Sequence, residues 1–452
     1  MLSKTHKVHI GLGICIIWGI LNIAAFLTRN SALSLLCFWS AGVLSLIILY
    51  HFLGVSSRMA EIRFTKKDVI RLIIALALGF FIYLILIMVK HSIYTWDSVG
   101  YYKMMESLLQ QFQIHNITGF SEWFFSGLTY DYGDFLQIFV YPFYAFSNHS
   151  IEAYIISYYL GVVIPVIISL YIAGLAIIKK VTSEELLYQR GYIKTVLCIA
   201  LVLFPLLHGA AINGQPDITG LVFVGIIISI TVDYDFSRRE PKRWSLVLLV
   251  TIALVLTRRW YMFFVVAYYF SYAIITLLDL LIKRKFNEFK KSLSNILIFG
   301  VSSIVIAVIV LFKMVVRILG NQYSESYAAW NRGGLSYEPL NQLQFLGVFV
   351  GIIVGIGLIF GLLNTRARKS SCIMLAAYAV EMFLFTRIQN AGYHQSLIFF
   401  PFYLYCIVLF LVFTSNKNQP TGLISSATVT IVLLCSFVNC SCFAYENKPA
   451  LW

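Results

Sequence analysis

Charge is what this sequence has least of: Asp, Glu, Lys and Arg make up 12% of its 452 residues, about half the share usual in soluble domains. That shortage excludes a chain folding mainly in water, and no segment is polar enough for a large soluble domain. Acid is scarcer than base, with 20 Asp and Glu against 34 Lys and Arg. The eight cysteines, Cys15, Cys37, Cys198, Cys372, Cys406, Cys435, Cys440 and Cys442, lie mostly inside apolar stretches. They form no CxxC pair and no metal-ligand spacing, and Cys440 and Cys442 are too close in sequence to make a good disulfide. Internal repeats are lacking, which counts against transporters built from two related halves. Sequons at Asn116, Asn148 and Asn439 matter only in a eukaryotic secretory membrane.

Apolar length is what the sequence has in excess. Hydrophobic residues are 60% of the chain, and runs of about 20, enough to cross a hydrocarbon core roughly 30 Å thick, recur along nearly all of it. Inside lipid the backbone must satisfy itself, so these runs predict helices and not strands, which would alternate in polarity. The expected spans are 8–27, 31–54, 70–90, 151–178, 194–212, 217–234, 244–256, 260–282, 293–316, 343–364, 371–386, 396–414 and 422–440. The first follows Lys4 and Lys7, is longer than a signal-peptide core and lacks an A-x-A site, so it is expected to be retained.

The cations sort between loops. With the N-terminus inside, the inner segments hold Lys4 and Lys7; Arg58, Arg63, Lys66, Lys67 and Arg71; Lys179, Lys180, Arg190 and Lys194; Arg238, Arg239, Lys242 and Arg243; Lys283, Arg284, Lys285, Lys290 and Lys291; Arg366, Arg368 and Lys369; and Lys417, which is 24 of the 34. An excess of Lys and Arg marks cytoplasmic loops, so the basic balance reads as topology and nucleic acid is not an expected partner. The longest loop, 91–150, and the C-terminus then lie outside. Within that loop 98–113 predicts an amphipathic interfacial helix, with Tyr102, Met105, Leu109 and Phe112 on one face and Lys103, Glu106, Gln110 and Gln113 on the other. The apolar stretch Phe135 to Phe146 is short and contains Pro142, which predicts an interfacial or re-entrant piece.

Four outer features carry polar groups. Asp97, in Tyr94-Thr95-Trp96-Asp97-Ser98, is placed to accept a proton from a hydroxyl, or to act as the N-cap of the helix that follows. Arg258 and Arg259, in Thr257-Arg258-Arg259-Trp260-Tyr261, stand where cations are disfavoured; they suit a phosphate, which guanidinium grips with two parallel hydrogen bonds, or they snorkel to headgroups. The turn Arg387-Ile388-Gln389-Asn390-Ala391-Gly392-Tyr393-His394 groups donors for sugar hydroxyls or phosphate oxygens, or is a headgroup-level loop of ordinary polarity. Asp217, in Asn213-Gly214-Gln215-Pro216-Asp217, opens a helix whose dipole it complements. Asp131 and Asp134 are secondary acid or metal candidates, and Asn321 to Gln342 is a candidate cover for the site or a plain loop. One lone His does not make a metal site, and nothing in the sequence demands a cofactor or metal.

These features together resemble the GT-C superfamily of membrane glycosyltransferases, which includes protein O-mannosyltransferases and bacterial lipid A aminoarabinose transferases. The likeness lies in a large first outer loop with an acid, Asp97, just after a transmembrane helix, the helix near 98–113, the Pro-containing aromatic stretch Tyr141-Pro142-Phe143-Tyr144, the RRWY segment and the late R-x-Q-x(4)-H turn. Ser98 stands where the family has Glu after its Asp, and two helices precede the usual first one. The apolar runs predict an all-α polytopic fold of about thirteen spans; set beside the resemblance, it divides into two extra N-terminal helices (1–69), a GT-C-like catalytic region (70–414) and a last helix with an outer C-terminus (415–452). The resemblance implies an inverting transfer of sugar from a polyprenyl-phosphate donor to a hydroxyl of a glycan, lipid or protein, in a bacterial plasma membrane. In that reading Asp97 is the base, Arg258, Arg259 and Arg387 hold donor phosphate, and Tyr101, Asp217, Gln389 and His394 orient substrate. The competing class is a flippase, transporter or polymerase of lipid-linked saccharides, in which the arginines bind phosphate without chemistry.

The topology is directly testable by cysteine-accessibility mapping. Probes at positions near 110 and 330 should label from outside and those near 185 and 287 from inside; labelling of position 185 from outside would overturn the arrangement.

Overall fold

The computed structural model describes residues 31–90, 98–110, 135–182, 191–415 and 419–443, and every regular element among them is helical. Helix α1 is Ser31–Met59, α2 Lys66–Lys90, α3 covers 98–110, and α4 is Gln137–Tyr144. Helix α5, Ile151–Val181, runs through one π turn at Tyr159–Val163, and α6, Gly191–Ile212, breaks at Phe204. Phe204 is extended because the ring of Pro205 disfavours helical backbone in the residue before it. Then come α7 Asp217–Thr231, α8 Pro241–Thr257, α9 Tyr261–Ile282, α10 Phe286–Val310 and α11 Phe312–Gly320. Helices α12 Gly334–Leu346 and α13 Val348–Leu363 meet at Gly347 with a bend of 111°, followed by α14 Arg368–Thr386, α15 Gln395–Ser415 and α16 Gln419–Phe443.

Among the described residues eight helices are long and apolar enough to cross a membrane, or nine if α12 and α13 form one span. By length and composition the chain is a multi-pass helical membrane protein. The expected span 8–27 lies outside the described residues. Two others, near 217–234 and 244–256, fold as helices of 15 and 17 residues, short of the roughly 20 that a full crossing takes. Span 293–316 stops at Val310, and its last residues turn off as the separate helix α11.

Helices α5, α7 and α15 form the centre. Each of the 15 residues of α7 is buried, between α5 on one side and α8 on the other. The α9–α14 pair packs along its length, whereas α10 stands at the edge with 6% of its span buried. Helix α4 is shorter than a span and lies enclosed against α1, where the Trp39 indole donates to the Pro142 carbonyl at 3.0 Å. Most of α4 is thus buried against protein, with Phe143 and, just past its end, Phe146 exposed. Helix α3 is amphipathic as expected, but its buried face is turned: Tyr101, Met105, Leu108 and Leu109 are buried, Lys103 and Gln110 are exposed, and Tyr102 and Glu106 are half-buried. The cause is protein contact, since the Glu106 carboxylate accepts from the Tyr144 hydroxyl of α4. Phe112 and Gln113 lie outside the described residues.

Polar groups collect at two opposite ends of the bundle. At one end Asp68 binds Arg71 at 2.9 Å and the buried Lys194 at 3.1 Å, Lys179 binds Glu61 at 2.6 Å, and Lys180 pairs with Asp233. The hydrogen bond from the Lys179 ammonium holds the Glu61 carboxyl below its usual range. At the other end lie Asp217, the first residue of α7, and Arg258, just past the end of α8. The two sets assigned to opposite sides of the membrane are therefore separated along the helices themselves.

Candidate functional site

The site is built on the corner between α8 and α9. Helix α8 ends at Thr257, Arg258 is extended, and α9 begins at Tyr261, so two arginines and Trp260 occupy a sharp turn inside apolar surroundings. Both guanidinium-bearing residues are buried, a placement that is costly for Arg unless it is hydrogen-bonded and paired. The Arg258 Nε donates to Asp217 Oδ1 at 3.2 Å and its Nη1 donates to the Tyr101 hydroxyl at 2.6 Å. Asp217 is fully buried, and its Oδ2 has no hydrogen-bond partner among the described residues.

The acid is held by its own turn. Gly214 has φ +61°, a conformation that side chains disfavour, and Pro216 leads directly into α7. Phenols of α5 tie the turn down: Tyr158 donates to the Gln215 carbonyl at 2.5 Å and Tyr154 to that of Gly214 at 3.4 Å. The Tyr261 hydroxyl donates to the Asp217 carbonyl. Its ring lies so close over Gly220 that any Cβ there would overlap it, so the glycine is what admits α9 to this position.

Arg259 faces a different set of groups. Its Nη1 donates to the Tyr323 hydroxyl at 3.2 Å and its Nη2 to that of Tyr327 at 2.7 Å. The guanidinium carbon lies 4.9, 4.5 and 5.9 Å from the ring centroids of Trp260, Tyr323 and Tyr327. The expected cover, Asn321 to Gln342, thus closes on Arg259 through two tyrosines. From there the contact passes to the late turn: the Asn390 amide donates to the Trp330 carbonyl at 3.3 Å, and the Arg332 amide to Asn390 Oδ1 at 2.7 Å.

One residue organises that turn, and sequence reasoning missed it. Glu338 is fully buried and accepts from Asn341 at 3.2 Å, Gln342 at 2.6 Å, Asn390 Nδ2 at 2.8 Å and the Ala391 amide at 3.1 Å. A carboxylate so supplied with donors sits comfortably out of water. Gln389 is buried and donates to Gln395 at 2.8 Å, His394 is half-buried, and the Arg387 side chain is exposed. The structure therefore joins Tyr101, Asp217, Arg258 and Arg259 in one cluster and links it to Asn390. Arg387 instead stands at the exposed end of α14. Asp97, Asp131 and Asp134 lie outside the described residues, as do the apolar–polar details of the loop around them.

Comparison with family models, curated proteins and solved structures finds no match. The chemistry must be argued from the residues. A second acid missed from the sequence bears on it: Glu381 sits within α14, is buried, and its Oε1 has no hydrogen-bond partner among the described residues. Its position inside an apolar span was the available signal. It lies within electrostatic range of Tyr261, which bonds Asp217, and of Tyr378 and Tyr403. Tyr403 in turn donates to Gln342 at 3.0 Å. Among the described residues no group of three or more His, Cys, Asp or Glu could hold a metal ion.

An unsatisfied buried polar atom costs about 1–3 kcal/mol. Glu381→Met, which keeps the side-chain length and removes the carboxyl, should therefore raise the thermal unfolding midpoint of the purified protein. A lowered midpoint would show that the carboxyl stabilises the fold.

Proposed function

We propose that the chain is a membrane glycosyltransferase of GT-C-like fold with about thirteen crossings, transferring a sugar from a polyprenyl-phosphate donor to a hydroxyl acceptor on the non-cytoplasmic face. The observation that carries this reading is the buried arginine pair at Arg258 and Arg259. Two of the hydrogen bonds that Arg259 donates go to neutral phenols, and charge-assisted hydrogen bonds to phosphate are roughly twice as strong as neutral ones. A phosphate reaching the corner would therefore win the guanidinium from the tyrosines. Arg258, fixed by Asp217 and Tyr101, supplies a second cation already oriented, the kind of preorganised charge that stabilises a departing phosphate.

In this reading each residue has a role. Arg258 and Arg259 take the donor phosphate, Tyr323 and Tyr327 cover it, and Asp217 positions Arg258. Gln389, Asn390 and His394 lie on the linked turn, where they face sugar or acceptor hydroxyls; Arg387, being exposed, contacts the phosphate only as it enters from the surface. Asp97 is the proposed base, and Tyr101, four residues along, is the side chain that Arg258 bonds. Transfer would form a bond from the acceptor oxygen to the anomeric carbon, break the bond to the phosphate oxygen, and move the acceptor's proton to Asp97. No cofactor enters this scheme. The basic end of the bundle faces the cytoplasm of a bacterial plasma membrane.

Glu381 favours a second reading, a transporter of lipid-linked saccharides, since transporters carry ionisable groups inside the membrane. One assay separates them. In proteoliposomes with a labelled polyprenyl-phosphate sugar and a panel of hydroxyl acceptors, the enzyme moves label covalently to an acceptor. Asp97→Asn, which keeps the capping ability but cannot take a proton, should lower that transfer by about two orders of magnitude with donor binding intact. Label crossing the bilayer with its phosphate linkage unbroken, and no glycosylated product, would establish transport instead.

A further inference from the structure

Helix α11, next to the site but outside it, presents three different faces. The residue before it, Leu311, and Met314 are buried against Val255, with Val315 and Ile318 half-buried beside them. Phe312, Val316 and Leu319, spaced four and three apart, are 60%, 53% and 81% exposed. Lys313 and Arg317, one turn apart on the remaining face, are both exposed, and the helix contains no acid.

Exposed apolar side chains in this number would be a liability in water. Here they continue a surface already bare of protein, because α10 exposes Val301, Ile304, Val305 and Ile309 along its length. The 25 residues of α10 rise about 37 Å at roughly 1.5 Å per residue, enough to cross the hydrocarbon core. Helix α11 begins two residues after α10 ends and packs against Val255 and Met262, which flank the arginine corner. It therefore starts at headgroup level, on the same side of the bundle as the site. A helix with one face on protein, one apolar face outward and a third carrying two cations matches the in-plane interface between acyl chains and charged headgroups.

We propose that α11 is a binding site for anionic phospholipid, with Lys313 and Arg317 holding the headgroup phosphate and Phe312, Val316 and Leu319 seated among the upper acyl carbons. The two cations lie one turn apart, the spacing that lets both reach one phosphodiester. The site has a structural consequence, since the chain leaving α11 at Gly320 reaches Tyr323 and Tyr327, which grip Arg259. A bound lipid would fix the height of this arm in the membrane and hence the position of the two tyrosines.

The proposal does not rest on glycosyl transfer, because its readout is lipid binding. The test is native mass spectrometry of the purified full chain titrated separately with phosphatidylglycerol, phosphatidylcholine and a polyprenyl monophosphate. Each cation near an anionic headgroup strengthens binding about 5-fold, so Lys313→Gln/Arg317→Gln should weaken the tightest phosphatidylglycerol site by roughly 25-fold. Phosphatidylcholine binding should be unchanged, and the charge-preserving Lys313→Arg/Arg317→Lys variant should bind as the unaltered protein does. Phosphatidylglycerol affinity that survives loss of both charges would overturn the proposal. So would an equal loss for phosphatidylcholine, which would indicate damage to the fold, or a loss confined to polyprenyl monophosphate, which would assign the cations to the donor.

Discussion

An arginine buried at the edge of an apolar bundle needs a partner in place before the surrounding helices can close over it. Here the partner is Asp217, on a helix that contributes no other charge, and the Arg258–Asp217 contact at 3.2 Å dictates much of what surrounds it. To present the acid, the chain between α6 and α7 must turn sharply, which explains Gly214 and Pro216. To hold that turn, α5 supplies Tyr154 and Tyr158; to bring the arginine within reach, α9 must pack close enough for Tyr261 to lie over Gly220. Removing one member of a buried pair costs about 3–5 kcal/mol because the other is left uncompensated. The same cost keeps Arg258 in one orientation.

The second arginine is treated differently, and the contrast suits a site that must both hold and release. Arg259 donates to two phenols on a short segment, Tyr323–Trp330, and lies against the buried Trp260 ring. That segment is joined to the late turn through Trp330 and Asn390, and the turn is held by Glu338. Movement of the tyrosines would therefore be felt at Asn390, while Arg258 stays fixed. Glu381 is buried within α14, where a carboxyl is costly for the fold. Residues that break a local rule without a stabilising return are expected at functional sites.

Much of this was legible in the sequence. Apolar runs of membrane length located most helices, and the charge sorting separated Lys194 and Arg71 from Arg258. The RRWY corner was singled out because two arginines stood where cations are disfavoured. Partners were not legible: Asp217 reads as a helix-start acid, and nothing in its neighbours says that an arginine 41 residues on will bond it. Glu338 was hidden in a stretch read as a loop, because its four donors come from two separate parts of the chain. The turned face of α3 has the same origin, since periodicity identifies an amphipathic helix but not whether protein or lipid covers it. The start of helix α11 was absorbed into the expected span 293–316 because Phe312, Met314, Val315 and Val316 continue its apolar run; only the break at Leu311 reveals a separate element.

The central claim is that Arg258 and Arg259 form a prepared site for a lipid-linked phosphate. Its most direct test is the affinity of the purified protein for a polyprenyl monophosphate, compared with that of Arg258→Lys/Arg259→Lys, which preserves both charges and removes both planar forks. Loss of even one charge-assisted hydrogen bond is worth about tenfold. The account predicts that affinity falls by at least about that factor, with the fold intact. Unchanged affinity in the double lysine variant would contradict it.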